Sequence, residues 1–373
     1  MRKGWGILLS LLLLIGCTGS TVPATAPATE APTPLSLVID IVVDATDAAP
    51  TSIETLAPTE TATPEPTATP EPTPTPLPYC PPEGVYTVAW ISDPQHYSAK
   101  FPELYDAMTL FLRDNREQLH LVYIMHTGDL VNETAKDAQW QVASTAQSYI
   151  DDIPNGVLAG NHDCQSPDGF GPYAKYFGEK RYRDKPWYGG SYQDNRGHYD
   201  LLTIGETDYL FVYMSYGPDK ACLKWLNKVF AKHPDRVGVL LVHDYFEHDG
   251  AARSKQGKQL FEQVVTKNPN LYFVFCGHRY GAYRQTTVLD DDSDGTPDRT
   301  VHEMMFNYQA AGKVGGNGYL RLLQFDDAAG TIHFLTYSPS EDDFNRFDDP
   351  VNREKHYEID ETAEDFVIAM PWR

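Results

Sequence analysis

Residues 119–132 read Leu-His-Leu-Val-Tyr-Ile-Met-His-Thr-Gly-Asp-Leu-Val-Asn, and this stretch has two halves. Leu119–Met125 is an apolar run of strand length. It breaks into polar residues at His126-Thr-Gly-Asp129 and continues to Asn132. The same junction recurs along the chain. Val85–Ile91 ends at Asp93-Pro-Gln95, and Gly156–Ala159 runs into Gly160-Asn161-His162-Asp163. Val237–Val242 ends at His243, and Leu271–Cys276 runs into Gly277-His278-Arg-Tyr280. Open α/β sheets gather their sites at the carboxyl ends of strands, so these polar strings are the place to look for chemistry.

Between the strands lie segments with helical spacing. Pro102–Arg116 puts Leu104, Met108, Phe111 and Leu112 on one face. Asp219–Lys232, opened by Pro218, does the same with Cys222, Leu226, Val229 and Phe230. Thr134–Ile150 and Lys255–Thr266 also read as helices, and Tyr199–Ile204 with Tyr209–Tyr213 as a hairpin. Beyond Gly277 the pattern changes. Tyr283–Leu289, Val301–Tyr308, Tyr319–Phe325 and Thr331–Tyr337 are strands separated by Gly- and Asp-rich turns, with no helix between them. The fold class expected is α/β, with two packed mixed β-sheets flanked by helices. Residues 341–373 are weakly periodic and are expected to wrap the surface of the domain. The aromatic stretch PWYGGSYQDNRGHY, 186–199, reads as a loop, either one wall of a cleft or a packed surface loop.

The chain has 373 residues, 41% of them hydrophobic, enough for a full-sized core. Residues 1–17, MRKGWGILLSLLLLIGC, have a basic start and an apolar run too short for an ordinary membrane span. Leu14-Ile15-Gly16-Cys17 resembles the bacterial lipobox, which implies acylation of Cys17 and anchoring of an exported protein to the membrane by its lipid. Residues 18–79 are rich in Thr, Pro, Ala and Glu and repeat TATPEP in tandem, as expected of an extended, disordered stalk. The folded domain is then expected over 80–340, with 341–373 as an extension packing on it. The net charge is −22; two basic residues in 1–17 and eight acidic ones in 18–79 leave −16 on residues 80–373. So acidic a domain repels a phosphate backbone, and nucleic-acid binding is not expected. Export permits disulfides among Cys80, Cys164, Cys222 and Cys276, in any of three pairings. A monomer is the favoured state.

Carboxylates, an amide and imidazoles form the ligand set for two neighbouring divalent metals, such as catalyse phosphate-ester hydrolysis. The order of the motifs resembles that of the calcineurin-like metallophosphoesterases, whose pattern is DxH, GDxx, GNH(D/E), a lone His after a strand, and GHxH. The resemblance spans residues 84–340. The segment MMFNYQAAGKVGGNGYLRLLQF followed by TYSP is similar to a secreted branch of that family with a DxQ first motif. The resemblance implies a four-layer αββα sandwich and a pair of divalent or mixed-valence ions, Mn, Fe or Zn. It implies that Asp93 binds the first ion, that Asp129 bridges, and that Asn161, His243 and His278 complete the second. A water shared by the ions would attack phosphorus in line. His162 would contact the phosphate and assist the leaving oxygen, with Asp163 fixing its tautomer or raising its pKa.

Gln95 and Tyr280 depart from the family pattern, each standing where a histidine is common. They are read as ligands of the first metal or as hydrogen-bonding neighbours of it, and the Asn132 amide as a contributor of the same kind. These departures leave open a different class of function: a catalytically weak surface lipoprotein that binds a phosphorylated or glycan ligand. His126 is expected to be structural, and His96, His198, His248, His302 and His333 ordinary. Asp290, Asp292, Asp294 and Asp298 form the start of a calcium loop without its closing glutamate, or else a solvated acidic turn.

Overall fold

The computed structural model describes residues 80–165, 169–248, 252–312, 314–347 and 361–373. The signal segment with Cys17 and the stalk therefore lie outside the described residues. Strand β1 (Val85–Ile91) leads into helices α1 (Gln95–Lys100) and α2 (Pro102–Asp114), β2 (Leu121–His126) into α3 (Asp137–Ser148), and β3 (Asn155–Val157) into α4 (Gly171–Phe177) and α5 (Glu179–Tyr182). Next come β4 (Tyr188–Tyr192), β5 (Gly197–Ile204), β6 (Thr207–Met214), α6 (Lys220–Lys232), β7 (Val237–Val242), α7 (Lys255–Gln263) and β8 (Leu271–Cys276). The rest is mostly strand: β9 (Gly281–Leu289), β10 (Arg299–Asn307), β11 (Leu320–Asp326), β12 (Thr331–Ser338), β13 (Asp343–Phe344), α8 (Glu361–Glu364) and β14 (Phe366–Ala369).

These strands make two mixed sheets. The first has the order β13-β12-β11-β1-β2-β3, with β14 also paired to β12; the second runs β4-β5-β6-β7-β8-β10-β9. In the first sheet β1, β2 and β3 are parallel, and in the second β6, β7 and β8 are. The apolar runs are continuous because both faces of these strands are covered. In β1, Trp90 points to the core between the sheets while Ala89 and Ile91 point to the helices. In β7, Val239 and Leu241 face the other sheet, and Leu240 and Val242 face α6 and α7 with Leu226 and Leu260. Each Val, Leu or Ile among them, fully buried, is worth about 1.5–3 kcal/mol of transfer free energy. The expected fold class is the one found, four layers in the sequence helix, sheet, sheet, helix.

Local chemistry fixes the helix ends. The Asp219 carboxylate accepts the N–H groups of Ala221 and Cys222, at 2.7 and 2.9 Å, and so caps α6 where the sequence placed its start. Ser254 caps α7 through the N–H of Gly257 at 3.0 Å. Buried Glu303 on β10 accepts from Tyr245, Arg253, Gln285 and Thr287, which ties the segment after β7 to β9 and β10.

Three expectations need correction. The C-terminal residues do not merely wrap the surface: β14 joins the first sheet antiparallel to β12, and Phe366 and Ile368 enter the core between the sheets. Four residues alternating in and out are too short a signal to rank as a strand. Residues 186–199 are not a loop but the antiparallel pair β4–β5 at the edge of the second sheet. Helix α7 stops at Gln263 and continues as a 3-10 turn over Val265–Lys267. Helix α1, beginning two residues after Asp93, had no apolar periodicity to announce it. The thiols of Cys80, Cys164, Cys222 and Cys276 are all free, with Cys222 and Cys276 buried in the packed layer beneath α6 and α7. Among the described residues no helix is long and apolar enough to cross a membrane.

Candidate metal centre

The polar strings follow the carboxyl ends of β1, β2, β3, β7 and β8, three from one sheet and two from the other, and the backbone stitches them together. Asp93 N–H donates to the Gly128 carbonyl and Thr127 N–H to the Ile91 carbonyl, both at 3.1 Å. Gly277 N–H donates to the His243 carbonyl, also at 3.1 Å, and Tyr216 N–H to the Ala159 carbonyl at 2.9 Å. Asp93, Asp129 and His278 all sit at positive φ: 53°, 56° and 69°. Backbone strain of this kind costs about 1–3 kcal/mol per residue and gathers at functional sites. Two glycines give the carboxylates room. A Cβ on Gly160 would lie 2.1 Å from Asp129 Oδ1, and one on Gly277 would lie 2.0 Å from Asp93 Oδ2.

One potential ligand atom from each of Asp129, His243 and His278 lies within 4.8 Å of the others. Asp129 Oδ1 accepts the His162 N–H at 2.9 Å and lies 3.3 Å from His243 Nε2. Its Oδ2 accepts from Gln95 Nε2 at 3.1 Å. His243 Nδ1 lies 2.8 Å from the Thr127 carbonyl, so it carries the proton that bonds there, and Nε2 is left toward Asn161 Oδ1 at 3.0 Å. Asp93 accepts the His278 N–H, 3.1 Å from Oδ1 and 3.3 Å from Oδ2, and the Ser92 hydroxyl. Ser92 is held in turn by Thr127 at 2.7 Å, and Thr127 by Trp90 at 3.0 Å. This buried chain aims the Asp93 carboxylate.

Crowding these groups polarises them. Burial pushes the Asp93 carboxyl up to about 8, with His243 opposing the shift and Asp129 adding to it. Burial would also raise Asp129, but the neighbouring His243 outweighs it and holds this carboxyl below its ordinary range. Burial would lower His243, yet the Asp129 and Asp93 charges raise it to about 10. Burial, joined by His243, pushes His278 down to about 3. Left to itself, then, the Asp129 carboxylate favours a proton on His243. A cation among them would take that role with more charge.

The residues fit a divalent metal. The donors are carboxylate, imidazole and amide oxygen, the set that Mn, Fe and Zn accept. Gln95 is 1% exposed, and its Oε1 is buried with no hydrogen-bond partner, an orphaned oxygen beside the Asp129 carboxylate.

Other expected residues lie elsewhere. The Tyr280 side chain is 40% exposed and meets the His248 ring edge-on at 5.9 Å. The turn into β9 carries it outward, so it does not replace a ligating histidine. Asp163 does not touch the His162 ring. Its carboxylate accepts the N–H groups of Leu130, Val131 and Gly160, at 3.0, 3.0 and 2.8 Å, and it is fully buried. Burial, with Asp129 adding, pushes this carboxyl up to about 7 against those three bonds. It fastens the β2 loop to the β3 loop. The tautomer of His162 is set instead by Asn132, whose backbone carbonyl lies 2.8 Å from Nδ1. Asn132 thus contributes through its main chain. His126 is structural as expected, accepting the Gly128 N–H at 3.0 Å and lying 3.2 Å from the Tyr105 hydroxyl.

Asp290, Asp292 and Asp294 converge to within 4.8 Å in the turn between β9 and β10. They are exposed, and their carboxylates accept N–H groups of Asp294, Gly295 and Thr296. Asp298 accepts that of Asp291 at 2.6 Å. This arrangement suits a cation as well as it suits a solvated acidic turn. Three further side chains lie near the centre, of which His96 was expected to be ordinary. The charges of His162 and Asp129 reach His96. Tyr216 has its ring 6.0 Å from that of His243 and 5.7 Å from that of His278. Arg279 follows His278 directly. Arg279 lies inside the Gly277–Tyr280 string and His96 directly follows Gln95, whereas only the fold brings Tyr216 to the centre.

The chain is similar to known proteins. The family described as calcineurin-like phosphoesterase matches residues 86–280. The "uncharacterized protein YvnB" of Bacillus subtilis (strain 168) is 45% identical over 271 residues, 72% of this chain. The chain spans only 21% of the length of that relative. A purple acid phosphatase, PPD1, from yellow lupin (Lupinus luteus) seeds superposes with a TM-score of 0.50 at 12% identity, over 79% of this chain and 55% of that one. A dimetal phosphatase from Danio rerio superposes at 0.48 and 12% identity, over 76% of this chain and 99% of that one. At such identities the likeness to the lupin enzyme speaks for the fold alone. The family match covers more than half of the residues and includes all five strand-end strings, and on that ground the chain belongs to the calcineurin-like phosphoesterase family.

Proposed function

We propose that this chain hydrolyses phosphate mono- or diesters at a centre of two divalent ions. The observation that carries the reading is the Asp129 carboxylate. One of its oxygens faces His243 and the other faces Gln95, so a single side chain stands between two groups of donors. In this reading Asp93 and Gln95 Oε1 hold one ion, Asn161, His243 and His278 hold the other, and Asp129 serves both. When bound, such ions lower the pKa of water and neutralise charge on the phosphate oxygens. The remaining work falls to the chain. His162, held at Nδ1 by the Asn132 carbonyl, presents Nε2 to the ester and donates a proton or hydrogen bond to the leaving oxygen. Asp163 keeps the loop carrying His162 against the loop carrying Asp129.

The test is metal analysis of the protein as purified, followed by a screen of model mono- and diesters with added Mn, Fe or Zn. Absence of turnover with every ion and ester would sink the reading. The Gln95 position gives a sharper check. Gln95→His is expected to tighten binding of the second equivalent of metal, because imidazole is a better ligand than an amide for these ions. Tyr280→His should leave the titration unchanged, since its ring points to His248. Equal effects of the two substitutions would mean that the first ion sits elsewhere.

We also propose that the protein is exported and held at the membrane surface by acyl chains on Cys17. The support is Leu14-Ile15-Gly16-Cys17 at the end of a short apolar run, followed by the TATPEP stalk. Labelled palmitate should enter the wild-type protein and be absent from Cys17→Ser, which should partition into the soluble fraction. Label retained by the variant would refute the anchor.

A further inference from the structure

We propose that Arg279 is a specificity residue that recognises a second anionic group on the substrate, a carboxylate or a further phosphate, next to the phosphoryl group being cleaved. The proposal rests on the phosphoesterase reading of the same centre and names the class of ester it takes.

Arg279 is placed by the β8 tip. Its backbone N–H closes a tight turn onto the Gly277 carbonyl at 2.9 Å, directly after the candidate ligand His278. The Arg279 charge is felt at His278, at Tyr216 and at Asp244. Tyr216 stands at the centre, with its ring beside both His243 and His278. The Tyr216 backbone is fixed on one side by Ala159 and on the other by Gln256, which accepts the Gly217 N–H at 3.1 Å and donates to the Asp244 carbonyl at 2.9 Å.

The guanidinium is held but not neutralised. One Nη lies 3.3 Å from His248 Nε2, and Nε is buried with no hydrogen-bond partner. Among the described residues no carboxylate forms an ion pair with Arg279, not even Asp244, which feels its charge. An unpaired, partly buried guanidinium donor is costly unless something completes it. Metal ions neutralise the phosphate being cleaved, so this third positive group is free for another anion. The planar fork of the guanidinium matches carboxylate or phosphate oxygens in pairs, which a lysine ammonium does not.

The test uses two ligands that differ by one carboxylate, sn-glycerol 3-phosphate and 3-phosphoglycerate, titrated calorimetrically into the Mn-loaded protein. The wild type is expected to prefer 3-phosphoglycerate by about ten-fold or more, the worth of one charge-assisted hydrogen-bonded pair. Arg279→Gln should abolish the preference, and Arg279→Lys should restore it only in part. Metal content, measured on the same samples, should not differ among the three proteins. Equal affinity of the wild type for the two ligands, or a preference that survives Arg279→Gln, overturns the proposal. The same compounds, assayed for phosphate release, separate the two readings. If neither is hydrolysed and the calorimetric preference still depends on Arg279, the esterase reading has failed and the recognition site stands. If both are hydrolysed with equal KM, which Arg279→Gln moves equally, the esterase stands and the recognition site falls.

Discussion

Asp129→Asn is expected to remove most of the bound metal and to lower kcat/KM by about three orders of magnitude, or about 4 kcal/mol of transition-state stabilisation. The substitution is chosen because the fold can absorb it. Asparagine has the same shape, and its oxygen can still accept the His162 N–H that Asp129 Oδ1 accepts at 2.9 Å. Its amide nitrogen would then replace Oδ2 and face the Gln95 amide, now at 3.1 Å in a donor–acceptor pair. Gln95 can answer by rotating its own amide, because Oε1 is at present without a partner. What cannot be repaired is the charge. Without the carboxylate, two cations would be drawn together by neutral donors and Asp93 alone, and His243 would lose the group that raises its pKa most. Metal analysis, ester turnover and a thermal melt on the same preparation check the prediction. Full metal content with normal turnover would show that the centre is built around other residues.

Much of this site is legible in the sequence because its parts stand at strand ends. Asp93, Asp129, Asn161, His243 and His278 each follow an apolar run, and a run buried on both faces ends abruptly where the chain leaves the sheet. The order of the strings then limits which strands are neighbours. What the sequence hides is side-chain direction. Asp163 and His162 are adjacent, and adjacency suggests a pair, yet successive side chains in a turn diverge; one carboxylate goes to three backbone N–H groups while the ring goes to Asn132. Tyr280 fails for a related reason: two residues past His278 the backbone has already entered the turn into β9, and its ring is outside. Tyr216 was invisible because nothing local marks it. It reaches the centre only through the pairing of β6 with β7, which sets the end of β6 beside His243. The C-terminal strand β14 was missed because four residues carry too little periodicity, although Phe366 and Ile368 fill the core as any longer strand would.

His162→Ala is expected to leave metal content unchanged and still to lower kcat by about 10² to 10⁴, the usual worth of general acid–base assistance. The geometry separates the two effects. The ring nitrogen Nδ1 is committed to the Asn132 carbonyl at 2.8 Å, and it is the backbone N–H of His162, not its ring, that bonds Asp129. Removing the ring therefore leaves the bridging carboxylate with the same partner. It frees one half-buried carbonyl, at a stability cost of about 1 kcal/mol, which a melt would register as a small shift and not as unfolding. The loss of rate should grow with the basicity of the leaving group. An alkoxide needs a proton as it departs, whereas p-nitrophenolate hardly does, so the variant should approach wild-type rates on activated esters and fall far behind on alkyl esters. A loss equal for all leaving groups would assign His162 to binding of the phosphoryl oxygens instead of to proton transfer. A change in metal content would mean that its ring is a ligand and that the division of donors between the two ions must be redrawn. Vigorous metal-dependent turnover indifferent to His162 would leave the metal centre standing but require another group for the leaving oxygen, and His96, within reach of the charges of both His162 and Asp129, is the side chain to substitute next.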